Sequence, residues 1–282
     1  MTWRKTLALE FQMKNFGFSG VPQDRFYMWQ WRVPPIAMII YKILLSAYLM
    51  SSLIYNVLTL DDSSGIPWPA FVTNWTYTLL MTYHVVHTVV LLLHYMSGTC
   101  HTCLQQPSGQ QHFRHFYELH ESDPLEETQP VVPSQQRGDH LPLHLIFLWI
   151  LYSILNSICP IVTALWYTSV ATPEERYLPR ELFVHVLNTV VILVDQMVSA
   201  IPVRLLHACF PVSYGLVYYL FSILYWMADH KHVLYGKMLD WNHPAIPFVM
   251  VIVTSCTAAV LHAGTYGIYK ARLSIYHRLE RG

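Results

Sequence analysis

Residues 69–95 read PAFVTNWTYTLLMTYHVVHTVVLLLHY. The stretch is long and apolar enough to cross a bilayer, which takes roughly 20 mostly apolar residues in a helix. It nevertheless carries Thr73, Asn74, Thr76, Thr78, Thr82, Tyr83, His84, His87, Thr88 and His94. Polar and ionisable groups are costly against lipid, and inside membranes they face a bundle interior. Thr73, Tyr77, Leu80 or His84, and His87 recur at three- and four-residue spacing, so they share one helix face. Tyr83 and Val90 point elsewhere. The stretch reads as an interior wall of a helical bundle, and the rest of the chain must supply the other walls.

The composition agrees. Of 282 residues, 54% are hydrophobic and 12% charged, where a soluble domain carries about 25% charged residues. Six stretches are candidate spans: 36–58, 70–96, 141–170, 181–200, 208–228 and 245–269. The fourth is the weakest. It is short, holds Asp195 and stops at Ile201-Pro202, where proline ends a helix; a re-entrant segment is its alternative reading. The expected fold is all-α, a polytopic membrane protein of six transmembrane helices. A segment 1–35 precedes the helical domain 36–269, which contains a polar loop 97–140, and a basic tail 270–282 follows. The zero formal charge points away from nucleic acid. Cys100, Cys103, Cys159, Cys209 and Cys256 are scattered and form no secreted disulfide framework. The first 30 or so residues lack the short apolar core of a signal peptide.

Lysine and arginine in the loops set the orientation. The N-terminal segment, the second and fourth loops and the tail carry twelve, against four on the opposite side. Both termini are therefore expected in the cytosol, with plasma membrane or endoplasmic reticulum as the compartment. In that topology the second and fourth spans both begin at the outer face. Thr73 and His185 each lie about one turn inside. His84 and Asp195 follow them by 11 and 10 residues, about 15 Å deeper. Two polar layers result. The outer one holds Thr73, Thr76, His185 and Asn188 with Glu181; the central one holds His84, His87 and Asp195. Plainer roles exist for both. A membrane threonine bonds its own backbone one turn back, and an Asp–His pair can simply join two helices.

The outer layer suggests chemistry. A threonine hydroxyl is a weak nucleophile that needs an adjacent base, and histidine is the usual one. A third group commonly orients the histidine. Glu181 and Asn188, four residues before and three after His185, can share its helix face. The set Thr73, His185 and Glu181 or Asn188 is a candidate acyl-transfer site, reached sideways by a lipid ester in the bilayer.

The run 185–211, HVLNTVVILVDQMVSAIPVRLLHACFP, resembles the rolling stone family of membrane proteins through His185, Asn188, Asp195, Pro202, Arg204, His207 and Pro211. Thr73, Asn74 and Trp75 fit the same family, and the similarity runs over roughly 30–270. That family is in turn distantly similar to the androgen-induced and androgen-dependent TFPI-regulating membrane proteins. Those are threonine hydrolases of fatty acid esters of hydroxy fatty acids. The resemblance implies Thr73 as nucleophile and His185, ten residues before Asp195, as base. Where those hydrolases show Asn-His, this chain has Glu181-Leu182. Rolling stone itself is associated with myoblast fusion, which implies no enzyme. A non-enzymatic membrane protein in cell fusion or adhesion is thus the alternative.

Other motifs have readings of their own. Cys100 and Cys103 with His112 and His115 could hold zinc; juxtamembrane palmitoylation or plain loop are the competing readings. His84, His87, His94, His144, His207 and His262 raise a haem or metal redox protein as a third class, but they form no clear pairs at opposite depths. Asn74-Trp75-Thr76 fits a glycosylation pattern but lies close to the membrane. Arg204 reads as a topology anchor beside Pro202, in a cytosolic turn that includes His207. Trp68, Trp75, Trp166 and Trp241 read as an aromatic belt. No cofactor or resident metal is expected. Membrane lipids, including a lipid ester, are the expected partners; protein partners are open.

Overall fold

The computed structural model describes residues 10–59, 65–97, 141–174 and 181–281. It is all-helical, with no named strand among the described residues. Helix α1 is Pro35–Leu58, α2 is Val72–Met96, α3 is Leu143–Leu165, α5 is Cys209–Ala228 and α6 is Ala245–Arg281. All five are long and apolar enough to cross a membrane. Proline opens α1 at its first position, where the missing N–H costs nothing. Its last turn is closed by Thr59, whose hydroxyl and amide both bond the Tyr55 carbonyl.

The fourth span differs from the others. It is a π turn, Leu182–Val186, running into a short α4, Leu187–Val198. The combined apolar helix 182–198 stops short of spanning length. Helix α6 differs in the opposite direction. Its 37 residues extend about 55 Å, and it runs on unbroken past the expected end at 269.

Helix α3 sits at the centre and packs on α2, α4, α5 and α6, while α1 packs on α2. That position explains its composition. Most of its side chains are buried, and two of its polar ones are spent locally: Ser153 bonds the Trp149 carbonyl and Asn156 that of Tyr152. The peripheral helices instead turn large apolar side chains outward, such as Leu44 and Ile54 on α1 or Phe248 and Ile252 on α6. One end of the bundle is marked by Thr73 at the start of α2, the other by Arg272 in the lower half of α6.

At the Arg272 end the segment before α1 folds under the bundle. Phe26 is fully buried and packs edge-on to Trp149. Trp29 bridges to Ser199 as an isolated antiparallel contact, and the Gln30 amide bonds the Val198 carbonyl.

Candidate functional site

The threonines of α2 sort themselves by hydrogen bonding. Thr76, Thr78, Thr82 and Thr88 each donate to the carbonyl four residues back, at Val72, Asn74, Thr78 and His84. That is the ordinary fate of threonine in a helix. Thr73 cannot do the same, because the carbonyl four residues before it, at Pro69, precedes the helix and is taken by the Trp75 indole at 2.5 Å. Thr73 is buried, and it lines an apolar cleft of about 80 Å³. Val72, Trp166, Tyr218, Tyr235 and Ala258 are among the other walls.

The entry to α2 is asymmetric. Its approaching carbonyls are all satisfied. Pro67 accepts from the Ala70 amide, Trp68 from the Asn74 amide side chain, Ala70 from the Tyr218 hydroxyl at 2.8 Å, and Phe71 from the Asn74 and Trp75 amides. Its donors are met from outside the segment. Phe71 occupies the N-cap position and no side chain caps the helix, although Ser, Thr, Asp or Asn is strongly preferred there. The amides of Val72 and Thr73, the first two of the helix, therefore lack an intrahelical acceptor.

Tyr235 completes this corner. It lies in the connection between α5 and α6 with φ 53° and ψ 31°, a left-handed conformation that is an outlier for a bulky residue and costs about 1–2 kcal/mol. Its hydroxyl is buried beside the Thr73 and Tyr218 hydroxyls and the Val72 and Thr73 amides, and interacts with all of them. Burial pushes the phenol above its ordinary pKa, so it stays protonated and able to donate.

His185 sits in the π turn that packs against α2. Its Nε2 is 3.3 Å from a Glu181 carboxylate oxygen, and its ring stacks on Trp166 with centroids 3.8 Å apart. Its Nδ1 is buried without a partner, as are both amide atoms of Asn188. Thr163 donates to the His185 carbonyl and pairs with Thr189 at 2.8 Å. No hydrogen bond joins Thr73 to His185. What connects them is Trp166, which lines the cleft with Thr73 and carries His185 on its ring.

The central layer assembles around a residue that the sequence reading passed over. Lys42, on α1, is fully buried and bonds Asp195 Oδ1 at 2.5 Å. It also lies 3.4 Å from His84 Nδ1 and 4.9 Å from the Tyr83 ring centroid. Tyr83 donates to Asp195 Oδ2 at 2.7 Å. The expectation that Tyr83 points away from the polar face fails: it is fully buried and completes the carboxylate's shell. His87 is turned to the segment before α1 and bonds the Phe26 carbonyl at 2.9 Å. The signal for Lys42 was present, since it is the one charged residue in the 24 of α1.

The residues after α4 form no surface turn. Ser199–Val203 are buried. Non-helical backbone at such depth needs its carbonyls paired, and they are. Arg25 Nε bonds Ala200 O at 2.9 Å, Arg272 bonds Ile201 O at 3.1 Å, Trp149 bonds Pro202 O at 2.8 Å, and His262 Nε2 lies 2.9 Å from Arg204 O. Arg204 donates to the Gly17 and Ser19 carbonyls and lies over Trp149 at 5.0 Å. It ties the N-terminal segment to the bundle. His207 is buried among Phe18, Trp149 and Phe210.

Cys100, Cys103, His112 and His115 lie outside the described residues. Among the described residues no three His, Cys, Asp or Glu side chains converge as metal ligands. The Asn74 side chain is buried and bonded to Trp68 O at 2.7 Å, which disfavours glycosylation. Trp241 is buried and bonds Ser222, so it does not belong to an interfacial belt. In the α5–α6 connection, His232 holds the Asp229 carboxyl below its ordinary range, and His243 does the same for Asp240.

A family model described as protein rolling stone matches residues 129–279. The Drosophila melanogaster protein named Protein rolling stone is 22% identical over 281 residues, covering 95% of this chain and 90% of that one. No solved structure matches the chain.

Proposed function

The chain belongs to the rolling stone family and folds as a multi-pass membrane protein, and we propose that it hydrolyses lipid esters at the cleft where Thr73 lies. The observation that carries this reading is the sorting of the α2 threonines. Four are spent on backbone carbonyls, and the fifth stands on the wall of an apolar cleft. In the reaction, the Thr73 oxygen attacks the ester carbonyl and its proton passes to His185. The departing alcohol takes that proton, and water, deprotonated by the same base, then releases the acid and restores Thr73. Glu181 is placed to orient His185. The cleft takes the acyl end of the substrate, and the remainder lies outside its mouth.

The absence of a Thr73–His185 hydrogen bond favours a second reading, in which the protein acts in fusion or adhesion without turnover. Catalytic hydrogen bonds are often long until substrate is bound, so activity must decide. The test is hydrolysis of a fatty acid ester of a hydroxy fatty acid by the purified chain in proteoliposomes. Turnover abolished in both Thr73→Ala and His185→Ala supports the enzyme; no turnover by the folded wild type, or full turnover in either variant, sinks it. Both termini are proposed to lie in the cytosol, from the charge bias of the loops, with plasma membrane or endoplasmic reticulum as the location.

A further inference from the structure

Helix α5 turns one stripe inward. Pro211, Gly215, Tyr218 and Ser222 follow one another at spacings of four, three and four residues, which puts them on one face. Pro211, Tyr218 and Ser222 are the buried side chains of the helix. Gly215 is the odd member. No positive φ calls for glycine there, and inside a helix only proline is less favourable. A close approach by a neighbouring helix would explain it, but a Cβ at Gly215 would meet no atom within 4 Å. The open space it faces is the cleft on whose wall Thr73 lies. That cleft is long. Its walls include Met250 to Ala258 on α6 and Pro211 to Tyr219 on α5, in each case about 12 Å of helix rise. Half of a bilayer's hydrocarbon core is about 15 Å deep. The Tyr218 end lies by the start of α2, where its hydroxyl bonds Ala70 O. The far end is closed by Ile158, Val162 and Ala258, which pack together with Val212. Between the ends the tyrosines offer little polarity. Tyr214 pairs with Thr76 at 3.1 Å and Tyr219 with Thr254 at 2.9 Å.

We propose that Gly215 is the specificity-determining residue of this cleft: it holds open a slot for one hydrocarbon chain, filled by the acyl chain of a lipid ester. The ester lies at Thr73, and the chain end lies against Ile158 and Ala258. The identity of the occupant rests on the lipid-ester reading, but the slot requires no turnover. Walls whose hydroxyls are bonded to the protein have no polar group to offer along the chain, so hydrocarbon is the fitting occupant. A slot that runs along the helix axis for most of a leaflet's depth lets an acyl chain move in from the bilayer without crossing water. Gly215 weakens α5 and contributes only space, and stability lost for room at a site is the pattern of a residue that serves a ligand.

The test uses the full chain in nanodiscs and a long-chain fatty acid methyl ester with a diazirine at the end of its chain, photolysed and mapped by mass spectrometry. Carbene insertion is expected at Ile158 and Ala258, above the background at the outward-facing Leu220 and Ile252. With the diazirine moved close to the ester, insertion should shift to Tyr218 and Met250. Gly215→Leu fills the slot and should lose insertion at Ile158 and Ala258 while Leu220 and Ile252 keep theirs. Its side chain enters open space and leucine is the better helix former, so its unfolding temperature should not fall. Gly215→Ala should unfold at a higher temperature than the wild type and lose part of the insertion at Ile158 and Ala258. Insertion confined to Leu220 and Ile252, insertion that does not move with the diazirine, or insertion at Ile158 and Ala258 unchanged in Gly215→Leu would each overturn the proposal. If Gly215→Leu does not fold, the two probes on the wild type decide alone. Ile158 and Ala258 labelled in a chain that turns over no ester keeps the slot and defeats the hydrolase reading; turnover without insertion at those residues does the reverse.

Discussion

Replacing Lys42 with methionine tests the central layer most directly. Methionine keeps the unbranched stem and removes the ammonium. Asp195 then keeps the Tyr83 hydrogen bond at 2.7 Å but loses its cation at 2.5 Å, in a place with no solvent exposure. Stranding one member of a buried ion pair costs about 3–5 kcal/mol. For a chain of this size that lowers the unfolding temperature by about 10 °C. Asp195→Leu should cost as much, since it leaves the ammonium with only His84 and the Tyr83 ring. The double variant removes both charges and replaces them with apolar volume, so it should lie within about 2 kcal/mol of the wild type or above it. Thermal unfolding followed by tryptophan fluorescence in detergent gives the full double-mutant cycle. If Lys42→Met unfolds at the wild-type temperature, or if the double variant loses the sum of the two singles, the ion pair is not what holds α1 and α4 to α2.

Tyr83→Phe removes one hydrogen bond to the same carboxylate and should cost about 1.5–3 kcal/mol by the same assay. Arg272→Met unpairs the Gln196 and Ile201 carbonyls together; it should destabilise by about 2–4 kcal/mol and speed hydrogen exchange in 196–204 more than elsewhere. The Asp229 and Asp240 carboxyls have lowered pKa values in the fold. Their contribution is present above the unfolded value of about 3.9 and is lost as pH falls through the lowered folded values. Exchange protection in 229–243 should therefore hold at neutral pH and decline below about pH 4; protection independent of acid would refute the pairing with His232 and His243. For topology, tags at both termini should need permeabilisation for labelling in intact cells, whereas a tag near Ser63 should not.

How far the fold could be read depended on whether a residue's role was set by its own helix. Period and hydropathy locate α1, α2, α3, α5 and α6 because each must cover about 30 Å of hydrocarbon with its own residues. The fourth segment broke that rule, and its shortness, Asp195 and Ile201-Pro202 announced as much. What replaces the missing turns was not legible: five carbonyl partners arrive from Arg25, Gln30, Trp149, His262 and Arg272, far apart in the chain. The depth argument put Asp195 in the same layer as His84. The cation is not reached by that argument, because hydropathy marks α1 as a span and says nothing of which helix its one lysine faces. In the outer layer, residue types pointed to Thr73, but its distinction rests on where the helix starts. A two-residue shift of that boundary, putting the N-cap at Pro69 instead of Phe71, would place Thr73 among the threonines bonded to their own backbone. Phe71 at the N-cap and the left-handed Tyr235 break local rules in ways set by the surrounding packing and not by their own sequence windows. Breaks of that kind mark functional or strained positions.

Two π turns meet at the Thr73 end, Trp166–Val170 closing α3 and Leu182–Val186 opening α4. They touch through the Trp166–His185 stack. A π turn holds an extra residue within a helix and recurs at functional sites. Adding or releasing one residue of register turns the following helix face by about 100°. Around His185 such a change would cost the contacts of its ring with Glu181 and Trp166 and of its carbonyl with Thr163, while its Nδ1 and both Asn188 amide atoms have no partner to lose. Below it the resistance is large, because Asp195 is held by Lys42 and Tyr83. Helix α4 is thus anchored by buried charge at its Asp195 end and by Glu181, Thr163 and the Trp166 ring at its His185 end. Trp166 belongs to the cleft and to the stack at once, so under the proposed hydrolase reading an acyl chain in the cleft would reach His185 through that one ring. The enzymatic reading needs that coupling to bring base and hydroxyl together. The adhesive reading needs neither the π turn at His185 nor a threonine on the cleft wall.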